Sequence, residues 1–69
     1  MKISARNQIR GRIVEVAKGA TTAHVRIDIG GGAVITASIT NEAVDELKLS
    51  QGAEAYAVVK ASDVMIAVD

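Results

Sequence analysis

Between Thr22 and Ile29 every second residue is apolar: Ala23, Val25, Ile27 and Ile29 alternate with Thr22, His24, Arg26 and Asp28. A period of two sends the rows to opposite faces of an extended chain, so this stretch predicts a half-buried β-strand. Ala33 to Ile39 repeats the pattern with Ile35, Ala37 and Ile39 inward. Ala53 to Lys60 reads as a fourth strand and Val64 to Val68 as a fifth. In the first segment Ile3, Ala5 and Ile9 form the inner row, opposite Ser4, Arg6, Gln8 and Arg10. Past Gly11 the apolar row changes phase toward Val14 and Val16, while Ile13 keeps the old one. A glycine at such a phase change predicts a bulge or sharp bend.

The turn signals fall between these runs. Gly19 in AKGAT predicts a hairpin between the first and second strands, and GGGA a flexible turn before the third. Thr40 is a good helix N-cap, Glu42 sits favourably in the first turn, and Ala43, Val44 and Leu47 make a short apolar face. TNEAVDELKL is thus one short helix. The order β-β-β-α-β-β, with a long bent first strand, predicts an all-β fold with one short helix. Its architecture is a five-stranded Greek-key barrel of the oligonucleotide/oligosaccharide-binding (OB) type.

A chain of 69 residues builds one domain, residues 1–69, and a small one. It has no Phe, Trp or Cys and a single Tyr, Tyr56, so neither aromatic bulk nor disulfides support the core. Association with further copies is the remaining device. The absence of Cys also excludes thiolate metal sites, and the lone His24 makes no zinc site without carboxylates. His24 reads as a solvent-facing strand residue, and Arg10, Arg12, Lys18 and Lys48 as surface charges. Eight basic and eight acidic residues cancel, which argues against a nucleic-acid footprint. No apolar run is long enough to span a bilayer, and no secretion signal opens the chain, so the cytoplasm is the expected compartment.

Catalysis finds no support. No thiol nucleophile exists, and one His among scattered carboxylates has no triad spacing. GGG at Gly30–Gly32 lacks the pattern of a phosphate loop and leads into a strand. Two short stretches remain, each carrying a hydroxyl and a cation two residues apart: Ser4 with Arg6, and Lys60 with Ser62. In a strand such pairs share one face. A tetrahedral dianion offers only acceptor oxygens, so its site needs donors and positive charge without carboxylates. SARN is acid-free, KAS is acid-free until Asp63, and Ala5 and Ala61 leave the backbone N–H groups approachable.

The stretches ISARNQIRG, ITASITNEAVDELKL and AYAVVKASDVMIAVD resemble the molbindins, the Mop-type molybdate-binding proteins, over essentially the whole chain. The resemblance implies an OB-type barrel that assembles as a homo-hexamer, a trimer of dimers, and holds molybdate, with tungstate as an alternative ligand, between subunits. It implies no enzyme activity. Ser4, Ala5 and Arg6 would come from one subunit and Lys60, Ala61 and Ser62 from its neighbour, with Thr40 added from the start of the helix. Relatives often carry Ser three residues after that Thr, where this chain has Ala43, so one hydroxyl is missing. A second kind of site near a threefold axis is also implied, with KGATTAH as the candidate stretch. The alternative is a small OB-type interaction module for single-stranded nucleic acid or a protein. Such a module normally stacks bases on exposed aromatics, and a single Tyr offers little platform.

Overall fold

The computed structural model describes all 69 residues. Four strands and one helix follow one another: β1 Asn7–Lys18, β2 Thr22–Gly30, β3 Ala33–Thr40, α1 Asn41–Glu46 and β4 Glu54–Val59. All pairings are antiparallel, in the order β3-β2-β1-β4. Three hairpin-connected strands with a fourth returning beside the first is the Greek-key arrangement. The fold class expected from the alternation is therefore present.

β1 serves two partners. Asn7–Arg12 pairs with β4, and Arg12–Lys18 pairs with β2, so the sheet curls about its middle. The break in phase sits at Val14, not Gly11: the register slips between Ile13 and Glu15, leaving Val14 as the extra residue of a bulge. That one residue explains why Ile9, Gly11 and Ile13 turn inward and the next inward residue is Val16. Gly11 has a different task. A Cβ there would lie 2.6 Å from both the Asp28 carbonyl oxygen and Ile27 Cγ2, so only glycine lets β2 pass so closely. Gly11→Ala should lower stability by about 1–3 kcal/mol, because backbone must move to make room. Chemical denaturation measures it, and an unchanged midpoint would contradict the close approach.

The β2–β3 turn places Gly31 and Gly32 at φ 61° and 82°. Two successive positive φ values are what a two-residue hairpin loop needs to match strand twist. Thr40 caps α1 as expected, its hydroxyl accepting from the Ala43 N–H at 3.0 Å. The helix is shorter than TNEAVDELKL and presents only Val44 to the core; Leu47 is 66% exposed.

Ile13, Ala23, Val25, Ile27, Val44 and Ala57 form the buried core. Six buried residues in 69 make a small core, and Ala contributes little area.

The expected fifth strand is absent. After β4 the chain makes a 3-10 turn over Ala61–Asp63, and residues 64–69 pair with no strand. The physical reason is that the turn does not return the tail to the β4 edge, so its backbone finds no ladder in this chain. The inner row predicted for Ile3 and Ala5 is likewise not strand, since β1 begins at Asn7.

Candidate functional site

Where β1 starts, β4 ends. Asn7 stands opposite Val59, and Asn7 Nδ2 donates to the Val59 carbonyl at 3.1 Å. Antiparallel pairing therefore brings the residues just before β1 alongside those just after β4. Ile3, Ser4, Ala5, Arg6, Lys60, Ala61 and Ser62 line one open cavity of about 460 Å³. Six of the seven residues singled out from the sequence meet there. They meet within one chain, where the resemblance implied one stretch from each of two subunits, and by a route other than strand geometry. Ser4 and Arg6 precede the strand, and Ser62 lies in the 3-10 turn, so neither pair has strand geometry.

Two local devices hold the walls. Gln8 Nε2 donates to the Ala5 carbonyl at 3.0 Å, tying the first stretch back onto β1. Asp63 N–H donates to the Lys60 carbonyl at 2.9 Å, closing the turn that presents Ala61 and Ser62. The backbone N–H groups of Ser4, Ala5 and Arg6 donate to no group of the chain. The cavity thus collects unengaged donors.

Charge follows the same division. The chain's ion pairs join Arg10 and Arg12 to Glu54, Lys18 to Asp45 at 2.5 Å, and Arg26 to Glu15 at 3.9 Å. Arg6 and Lys60 take part in none of them, and no carboxylate lines their cavity. The surface charges Arg10, Arg12 and Lys18 are by contrast all engaged. The hydrogen bond from Arg10, reinforced by its charge, holds the Glu54 carboxyl below the usual carboxylate range and raises Arg10 in return. Sequence reasoning missed this Arg10–Glu54–Arg12 cluster, since 44 residues separate Arg10 from Glu54. Only the β1–β4 register brings them together.

Thr40 stands apart. It pairs with Thr22 where β2 begins, beside the Lys18 end of β1. Arg6 and Lys60 lie at the other end of that 12-residue strand, whose rise is about 3.3 Å per residue. Within one chain Thr40 does not line the cavity. Its oxygen already accepts from Ala43, which leaves the hydroxyl hydrogen free to donate. His24 is exposed on the outer face of the sheet, between Ala17 and Ser38. No cluster of three His, Cys, Asp or Glu able to hold a metal ion is formed, and no helix is long and apolar enough to cross a membrane.

A TOBE-domain model matches residues 3–66. A probable molybdenum-pterin-binding protein of Haemophilus influenzae is 51% identical over 69 residues, covering both chains completely. The chain belongs to the TOBE-domain family, among its Mop-type molybdenum-pterin-binding proteins. Two solved Mop-family structures share the fold at useful identity. The molybdate-binding protein from Sporomusa ovata superposes with a TM-score of 0.91 at 34% identity, covering 99% of this chain and all of that one. The cytoplasmic molybdate-binding protein ModG, in a form with molybdate bound, matches with a TM-score of 0.89 at 45% identity. That match covers 94% of this Mop chain and 46% of ModG. These relatives are named for binding, not for catalysis.

Proposed function

We propose that the protein binds molybdate, with tungstate as an alternative ligand, and serves as a cytoplasmic store of molybdenum, residues 1–69 acting as one Mop-type domain. The ligand site consists of Ser4, Ala5, Arg6, Lys60, Ala61 and Ser62. The observation that carries this reading is one acid-free cavity holding the cations Arg6 and Lys60, which no carboxylate of the chain engages. The relatives named for molybdate support the choice of anion.

The mechanism is charge-assisted hydrogen bonding. Arg6 supplies a planar fork of donors, Lys60 a compact charge, and Ser4 and Ser62 short hydroxyls. Backbone N–H groups beside Ala5 and Ala61 are approachable because those side chains are single methyls. A site without carboxylates offers the O–H of hydrogenphosphate only neutral oxygen partners while its cations favour the full dianion, which disfavours hydrogenphosphate. Sulfate has the same charge and shape, so cavity size must reject it.

Thr40 joins the site from another copy of the chain. It lies at the opposite end of β1 from Lys60, so one anion touching both takes them from two chains. The site is then completed across an interface of a homo-oligomer, a hexamer built as a trimer of dimers.

Isothermal titration with molybdate in buffer carrying excess sulfate tests the reading. Saturable heat near one anion per chain, or somewhat above, is the expected result. Absence of heat under those conditions would overturn selective molybdate binding.

A further inference from the structure

Where β3 gives way to α1, one side chain carries a cost that its own contacts do not outweigh. Asn41, the first residue of α1, donates its backbone N–H to the Thr21 carbonyl and its Nδ2 to the Gly19 carbonyl, both at 2.9 Å. Its Oδ1 is buried, and no group of the chain donates to it. No other buried side-chain nitrogen or oxygen of the chain lacks a partner. The bond to Gly19 fixes the orientation of the amide, because a carbonyl accepts only from the nitrogen side. A buried acceptor without a donor costs about as much as a hydrogen bond contributes, so the amide brings the fold no net gain. Asparagine is also a poorer helix former than alanine. On stability alone, alanine would serve at position 41.

What the amide does achieve is geometric. The β2–β3 ladder ends at the pair Thr22–Thr40, on a strand that is itself a sheet edge. Beyond that pair the chain leaves the sheet, and the ends of ladders are where structure frays first. The two bonds of Asn41 extend the attachment past the last pair, onto the turn between β1 and β2. That turn is itself closed, with Gly19 N–H donating to the Thr22 carbonyl at 2.7 Å. The Lys18–Asp45 ion pair joins the same two parts, but both side chains are well exposed and such pairs add little. Thr40 sits between the last ladder pair and the bonds of Asn41, with its Oγ1 accepting from Ala43 N–H. Its remaining hydroxyl hydrogen is carried on backbone fixed from both sides.

We propose that Asn41 is a positioning residue for anion binding: it locks the turn between β1 and β2 to the start of α1, so that Thr40 is held ready to donate. This role rests on Thr40 joining the anion site from another copy of the chain. A donor held in place before the anion arrives loses little freedom on binding, so its ordering weakens folding and not affinity. The unpartnered Oδ1 fits such a role, since binding sites are where a fold breaks local rules that it obeys elsewhere.

Molybdate titration calorimetry and thermal melts on the full chain, Asn41→Ala, Thr40→Ala and the double variant test the role, with every titration run where the melts show the variant folded. Asn41→Ala should weaken molybdate binding about three- to tenfold, part of what a hydrogen bond to a charged group contributes. Its melting temperature should stay within about 4 °C of the parent, because the lost bond and the removed orphan offset each other. Thr40→Ala should lose about tenfold or more, and adding Asn41→Ala to it should change affinity no further, because no hydroxyl is left to position. Losses that add in full in the double variant would overturn the proposal. So would a melting temperature of Asn41→Ala lowered by more than about 4 °C, which would assign the side chain to the fold. Parental affinity in Asn41→Ala beside a weakened Thr40→Ala would overturn it while leaving the molybdate site intact. Parental affinity in Thr40→Ala, or a parent chain that gives no heat, would overturn the part played by Thr40 and that of Asn41 with it.

Discussion

Replacing Arg6 or Lys60 with alanine is expected to weaken molybdate binding tenfold to hundredfold while leaving the melting temperature in place. Hydrogen bonds to a charged partner are worth about 1.5–3 kcal/mol each, and about 1.4 kcal/mol is tenfold in affinity. The folded chain loses little, because neither side chain enters an ion pair. Arg10→Ala is the matched control. It removes an equal charge, but one already neutralised by Glu54, and should leave molybdate affinity within about twofold of the parent, since engaged surface pairs contribute little. Titration calorimetry on the three variants separates a local site from general attraction of anions. Equal losses in all three would sink the assignment of Arg6 and Lys60, as would unchanged affinity in both.

The second large effect concerns stability. Ile13→Ala should cost about 2–5 kcal/mol, the range for truncating a fully buried aliphatic side chain. Ile13 is the most enclosed large residue at 1% exposure, and its backbone closes the curl by accepting from Gly52 N–H and donating to the Ala53 carbonyl, both at 2.8 Å. Natural domains hold only about 5–15 kcal/mol in total. A fall in melting temperature of about 8 °C or more follows for a domain of this size. A drop of only ~1 °C would show that the six-residue core is not what holds the barrel. Anion binding should survive at a temperature where the variant is still folded, because Ile13 does not line the cavity. The two experiments therefore act on independent parts of the molecule.

Much of this organisation is legible in the residues. The two-residue alternation, the glycines of the β2–β3 turn and the threonine before NEAV specify local structure by short-range rules. Side-chain direction, backbone sterics and a three-residue hydrogen bond need no distant partner. Each of those elements is found in place. The chemistry of the candidate site is legible for the same reason: Ser, Arg and Lys carry their donors and charge wherever they sit.

What failed to be legible depends on pairing. The bulge is at Val14 because the register of β1 with β2 puts it there, and Gly11 answers instead to the proximity of Asp28 and Ile27. Arg10 meets Glu54 through the β1–β4 ladder alone. The apolar run at 64–68 alternates with no polar residue and predicts a fifth strand, yet it pairs with no strand of the chain. Composition says how apolar a segment is, but not whether its backbone finds a ladder.

By itself, then, the sequence determined the strand rows, the turns, the helix cap and the donor chemistry of SARN and KAS, because these rest on interactions within a few residues. Tertiary structure alone decided that the two stretches share one cavity, that Thr40 lies at the far end of β1, and that the last apolar run stays outside the sheet. Those outcomes follow from long-range antiparallel register, which no local pattern specifies.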